Sequence, residues 1–208
     1  MTSDSQLNAI NNRLNVRPRI ILSALGMLML CGCFIRPGVT SPNISGKTVS
    51  EFQAGTRVGH DDFRKTTVVK GYWVSFVNAP LRQADLNGRS FGLIAQKADS
   101  GQTVKFSLEF SSERGKATGP ASWDSAFDAS GQHLPVIKEA TMSGTVGDIW
   151  EGIAVVLTRE YLDARATSGF HMCIEGKGNG KTTRQTIYVP GNYIVGFLRV
   201  VDATFSHG

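Results

Sequence analysis

Apolar and polar residues alternate along much of the second half of this chain, and the alternation predicts strands. Val104, Phe106, Leu108 and Phe110 are separated by Lys105, Ser107 and Glu109, the period of two that puts one face of a strand in a core and the other in water. The rhythm recurs through Ile153, Val155 and Leu157 within 150–157, and again through Phe170, Met172 and Ile174, which sets His171, Cys173 and Glu175 on the opposite face. Residues 66–78 and 90–97 are rich in β-branched and aromatic side chains and read as further strands. Shorter strands are expected near 123–127 and 133–138, joined by a tight turn at 128–131. The stretch GKGNGKTTR, 176–184, reads as the loop of a hairpin that returns through 185–189.

Two segments change period. Thr158 offers a cap oxygen to the helix-forming stretch 159–168, which Gly169 closes. Beyond Pro190, the residues Tyr193, Ile194, Phe197, Leu198 and Val201 recur at three and four positions and predict a terminal amphipathic helix. Strands outnumber helices, and nothing repeats the strand–helix–strand unit that builds a parallel sheet. The expected fold is therefore mainly β: an antiparallel β-sandwich with one short crossover helix and a C-terminal amphipathic helix. Residues 36–56 behave differently, being dominated by Pro, Gly, Ser, Thr and Asn with hardly any apolar periodicity, and read as flexible coil.

Ahead of that coil lies an uncharged run at 20–35, IILSALGMLMLCGCFI, preceded by Arg13, Arg17 and Arg19 and followed by Arg36 and Pro37. The run is short against the ~20 apolar residues a spanning helix needs, and a positive segment before such a run is the pattern of an export signal. Within it, Leu30-Cys31-Gly32-Cys33 resembles the lipobox of bacterial lipoproteins: Leu at the third position before the cysteine, a small residue directly before it, and the cysteine itself. Cys31 departs from the small Ala, Ser or Thr usual in that family, and the segment of about 19 residues before the run is long. The resemblance implies transfer of diacylglycerol to the Cys33 thiol, cleavage after Gly32 and acylation of the new amine. Two or three acyl chains, at ~0.8 kcal/mol per buried methylene, make a stable anchor. Phe34 after the cysteine resembles lipoproteins sorted to the outer membrane. The expected organisation is a signal peptide at 1–32, a lipidated Cys33 with a flexible tether at 33–57, and one β-sandwich domain at 58–208.

Composition narrows the function. The 208 residues, 41% hydrophobic and 19% charged, supply one ordinary core. Cleavage removes three arginines and one aspartate, taking the formal charge from +5 to +3. The remaining cations are interspersed with carboxylates instead of forming the basic stripe of a nucleic-acid binder, so no nucleic-acid partner is expected. Acylated Cys33 would leave Cys173 as the thiol of the mature chain, read as a small partly buried hydrophobe.

Several groupings invite chemistry. The glycines and lysines of 176–182 suggest a phosphate loop, but Glu175 stands where that motif needs glycine and a strand follows where it needs a helix. The hairpin is read instead as a basic tip, with Lys177, Lys181 and Arg184 free to touch an anionic surface. His60-Asp61-Asp62 are adjacent and cannot readily converge on one ion, so no metal is expected, and no cofactor. His133 and His207 read as solvated. His171 and Cys173 share a strand face, a conceivable thiol–base pair, yet Glu175 continues that face as an ordinary polar side. Glu109, Asp124 and Asp128 are available carboxylates, no Gly-x-Ser-x-Gly elbow occurs, and of Trp73, Trp123 and Trp150, a conceivable sugar-stacking set, at least two should be core. The expected function is a non-enzymatic binding or structural module of the cell envelope, facing the periplasm. Its rivals are a hydrolase or thiol enzyme using His171 and Cys173, and an accessory lipoprotein of a secretion or conjugation machine.

Overall fold

The computed structural model describes residues 44, 46–76, 89–114, 122–138, 142–143, 149–178 and 180–206. Among these residues strand dominates, and every strand pair is antiparallel. The elements are α1 (Val49–Gly55), β1 (Arg57–Asp61), β2 (Thr66–Lys70), β3 (Val74–Phe76), β4 (Arg89–Ala98), β5 (Lys105–Arg114), β6 (Ser122–Asp128), β7 (His133–Leu134), β8 (Val136–Lys138), β9 (Met142–Ser143), β10 (Ile149–Leu157), α2 (Arg159–Asp163), β11 (Phe170–Gly178), β12 (Lys181–Val189) and α3 (Gly191–Phe205). A large sheet runs β1-β2-β4-β5-β10-β8, with β3 beside β4 and β9 beside β10; a smaller one runs β12-β11-β6-β7. The expected β-sandwich with a crossover helix and a C-terminal helix is the fold found, α2 carrying the chain from the large sheet to the small one.

Alternation decides which faces meet. Phe91, Leu93, Phe106, Leu108, Phe110, Ile153, Val155 and Leu157 from the large sheet, and Trp123, Met172, Ile174, Ile187 and Val189 from the small one, fall in one buried cluster. Trp123 meets Phe110 edge-on at 5.1 Å, joining the two sheets. Trp123 and Ala126 both face inward despite opposite parity because the ladder between β6 and β11 slips by one residue, leaving Asp124 unpaired. Opposite them, a Cβ on Gly176 would come within 2.9 Å of the Trp123 ring, so this glycine gives the indole its floor. That is its structural use in a segment whose glycines suggest a phosphate loop.

Four expectations change. Residues 48–56 are not coil. Thr48 caps α1 reciprocally with Glu51, its hydroxyl receiving the Glu51 amide while its own amide donates to the Glu51 carboxylate at 2.8 Å. The backbone hydrogen bond to the carboxylate, then the Thr48 hydroxyl, hold that carboxyl below its ordinary pKa. The helix buries Phe52 completely against Tyr193, at 5.0 Å, and Tyr72, at 5.7 Å. The folded domain thus begins before the expected boundary at 58; residues 33–43 of the expected tether lie outside the described residues.

The second change is β1, where a polar lead-in was expected. Its five residues are almost wholly exposed, so no alternation marks them, and a side chain makes the hairpin instead: Asp61 accepts the amides of Phe63 and Arg64 at 3.0 and 2.9 Å. The third concerns 176–184. Strand pairing continues through Gly178 and resumes at Lys181, so the connection is the two residues Asn179-Gly180, with Gly180 at φ +71°. The helix after Thr158 is also shorter than 159–168, ending at Asp163 before a series of turns that Gly169 closes at φ +71°.

α3 packs on the sandwich through Tyr193. Its hydroxyl receives the Leu93 amide at 3.0 Å and donates to the Tyr72 carbonyl at 2.7 Å, and burial drives its pKa far above the ordinary value. Arg159 fastens α2 to α3, binding both Asp163 oxygens at 3.0 Å and Asp202 as well.

Asp128 ends β6 and organises the turn to β7. One oxygen receives the amides of Ser130 and Gln132 at 2.9 and 3.0 Å, and the other receives Arg165 at 3.1 Å. Burial pushes this carboxyl up, but the hydrogen bonds from Ser130 and Gln132 and the charge of Arg165 together outweigh it and hold the pKa below the ordinary aspartate value. The unfolded chain consequently takes up this proton more readily than the folded one. The stabilisation is complete above the unfolded pKa of ~4 and drains away as pH falls through the lower folded value. Asp128→Asn is expected to cost about 1–3 kcal/mol at neutral pH, and its melting temperature should fall less steeply than the wild type's on acidification below that range. Parallel slopes in a pH series of thermal melts would contradict this.

Candidate functional site

Two features on opposite sides of the large sheet concentrate polar chemistry. The first lies inside. Arg89, Ser112 and Glu151 stand in one cross-strand row on β4, β5 and β10, because Ser112 is in register with both of the others. All three sit in the inward parity of their strands, two residues from Phe91, Phe110 and Ile153. Arg89 reaches across the interior and donates from Nη1 to Gln185 Oε1 on β12, so a guanidinium joins the two sheets at this end of the core. Ser112 is 1% exposed, Gln185 7% and Glu151 9%, and the Ser112 hydroxyl has no hydrogen-bond partner among the described residues. Burying a row of this kind costs desolvation, so its presence alone is no sign of added stability.

The second feature is an open trough of about 560 Å³ on the outer face of the same sheet. Its floor is Ala154, Val156 and Ile137, with Val104 beside them; its rim carries Lys105, Glu109, Arg159 and Glu160. Ile137 is 59% exposed, a branched apolar side chain left in water on a three-residue edge strand. The Glu160 carboxyl is held below its ordinary pKa by its own backbone amide and by Thr158, so it is ionised at neutral pH. Arg159 is committed to Asp163 and Asp202, which offset its charge. The rim as a whole is therefore not cationic.

Beside the trough lies Trp73, 42% exposed. Its ring rests on the outer side of β4 at Gly92, where an added Cβ would come within 2.5 Å of the indole. Gly92, Glu109, Ala154 and Ile137 are in register across β4, β5, β10 and β8, so the indole and the trough share one transverse row.

The residues singled out from the sequence are scattered. Lys177 is exposed on β11, while Arg184 is exposed on β12 and donates to Glu175 at 2.6 Å, so its charge is engaged across the hairpin. Lys181 opens β12. His171 and Cys173 do share the outer face of the small sheet, but Cys173 is 5% exposed between Phe127 and Thr186, and His171 packs against the Tyr188 ring at 4.6 Å. His60 does approach Asp62, with Nε2 at 3.4 Å, and also Asp99 from the turn after β4, at 3.7 Å. Among the described residues no group of three or more His, Cys, Asp or Glu is placed to hold a metal ion. His133 is exposed, edge-on to Phe127 at 5.1 Å. Trp123 is core and Trp73 is not, so the expectation of at least two core tryptophans turns on Trp150, whose side chain, like His207, Gly32 and Cys33, lies outside the described residues. Among the described residues no helix is long and apolar enough to cross a membrane.

Sequence reasoning missed the interior row and the partnership of Trp73 with Gly92. Strand parity could have shown the first: counting two from Phe110 gives Ser112, and two back from Ile153 gives Glu151. The second needs the pairing of strands.

No family model matches the chain, and no curated protein or solved structure matches it.

Proposed function

We propose that this chain is a membrane-anchored lipoprotein of the bacterial envelope, held by acylated Cys33 and facing the periplasm, whose sandwich is a non-enzymatic binding module. The observation that carries the binding reading is the trough: a mainly apolar surface edged by charged side chains on the outer face of the eight-stranded sheet, with Ile137 59% exposed within it and Trp73 42% exposed beside it. The anchor is supported by the lipobox-like residues at 30–33 and by the basic segment before them. A thiol enzyme built on His171 and Cys173 is the weaker reading, because substrate would have to reach a sulfur that is 5% exposed on a regular strand.

A photo-crosslinking residue at position 137, introduced into the full chain in living cells, is expected to give a discrete adduct with an envelope component. The same residue at Gln53, exposed on the far helix, should give none. Equal labelling at both positions, or none at 137, would contradict a binding role for the trough.

A further inference from the structure

We infer that the β1 edge of the large sheet pairs with the β1 edge of a second copy of this chain, antiparallel and centred on Gly59. This edge is the one opposite β8 and the trough, and the inference stands apart from the binding reading. Among the described residues β1 has one neighbour, β2. A strand with one neighbour turns half of its backbone N–H and C=O groups outward, a row ready to pair with another strand. Two devices that commonly block such an edge, a proline and a bulge, are absent: Arg57–Asp61 contains no proline and keeps unbroken register with β2. Four of its five residues are exposed, so no described element lies over them.

The side chains select the partner. A two-fold axis at Gly59 sets residues equidistant from it face to face. Arg57 then stands opposite Asp61 of the second copy, once on each side of the axis, and Val58 stands opposite His60. No ion pair among the described residues engages Arg57, whose side chain is exposed. Asp61 accepts the turn amides through Oδ1, and its Oδ2, with Arg64 at 3.9 Å, is able to take a second cation. A foreign strand would have to present an anion and a cation in the reverse order at this spacing; β1 itself carries that complement. The apolar surface at this edge falls in with the same register. Val58 is 53% exposed although its ladder partner Val69 is fully buried, and it gains His60 of the second copy as a cross-strand neighbour. Phe63, 97% exposed in the turn after β1, comes level with Gly55 of the second copy at the end of α1, beside the Tyr72 ring. The contact is short against the ~1,600 Å² of a standard interface, so the association is weak and reversible.

Gly59→Cys tests the pairing, because nothing lies within 4 Å of where its Cβ would stand. Two such thiols on the axis would have Cα atoms ~5 Å apart, within the range a disulfide spans. In the full chain, in detergent micelles at high micromolar concentration under mild oxidation, this variant should give at least ten times more covalent dimer than Lys177→Cys. That control shares the native cysteines and places its thiol at an exposed position of the small sheet. Adding Arg57→Glu sets like charges opposite each other and should cut the crosslink at position 59 at least fivefold. Mixing that chain with one carrying Gly59→Cys and Asp61→Lys should restore the crosslink, since the mixed pair matches opposite charges at both ends. Melting temperatures confirm that each variant folds. Should Asp61→Lys fail to fold for want of its turn acceptor, the effect of Arg57→Glu decides. Equal crosslinking at 59 and 177, or crosslinking at 59 that Arg57→Glu leaves unchanged, would overturn the proposal.

Discussion

Phe52→Ala is expected to destabilise the domain by about 3–5 kcal/mol, a loss that lowers the melting temperature of a protein this size by roughly 10 °C or more. Phe52 is fully buried, stacked on Tyr193 and edge-on to Tyr72. Tyr193 in turn holds the backbone of Leu93 and Tyr72, so the cavity would open where α1, α3 and the large sheet meet. Collapse cannot fill it. α1 already lies against α3 so closely that a Cβ on Gly196 would be 2.7 Å from the Val49 carbonyl and 2.9 Å from the Phe52 Cβ. A chain starting at residue 58, the boundary read from composition, should fare at least as badly, since it uncovers Tyr193 and the α3 surface at Gly196. Thermal unfolding of the variant and of the shortened chain checks this directly, and a shift under about 1 kcal/mol in either would mean that α1 is not part of the cooperative fold.

Arg89→Ala is expected to cost about 3 kcal/mol. The guanidinium links the two sheets at its end of the core, and its removal leaves the 7% exposed Gln185 without that donor and takes the one cation out of the row that holds Ser112 and Glu151. Replacing Arg89, the Glu151 of its row and its partner Gln185 together by apolar residues of similar volume, Arg89→Met with Glu151→Met and Gln185→Leu, should recover most of that loss. Breaking a buried polar set is costly, whereas substituting all of it is often neutral. Chemical denaturation of the two variants decides it: equal stabilities for single and triple substitutions would show that the row contributes nothing as a unit.

Much of this fold was legible because a half-buried strand writes its burial into alternate positions. Residues 104–110 and 150–157 alternate cleanly and became the paired strands β5 and β10 at the centre of the large sheet. The Asp128 turn, the Thr158 cap and the face of α3 carry local signals that nothing distant overrides. α1 was missed because Phe52 is its one fully buried side chain, too few for a periodicity, and the polar composition of 36–56 outweighed it. The Thr48–Glu51 capping box was the available sign. β1 shows no alternation because it is an exposed edge strand, buried on neither side. At 176–184 the number of glycines suggested a long loop, although Asn-Gly alone suffices for a two-residue turn and the flanking Lys177 and Thr182 pair normally.

The candidate site divides along the same line. The apolar floor of the trough comes from strands that were recognised, but Ala154 and Val156 were assigned to the sheet without any sign of which neighbours flank them. Ile137 and Arg159 reach the site from β8 and α2, and that convergence is a property of strand order. Trp73 could be suggested as a sugar platform from its type alone; its exposure depends on Gly92, nineteen positions later in the chain and adjacent only through the β3–β4 pairing.

The anchor is the claim on which location and partners depend, and the intact mass of the protein from the membrane fraction tests it most directly. The expected product is a chain starting at Cys33, heavier than its sequence by a diacylglyceryl group and an amide-linked acyl chain. A mass showing residues 1–32 retained and the thiols of Cys31 and Cys33 unmodified would contradict it.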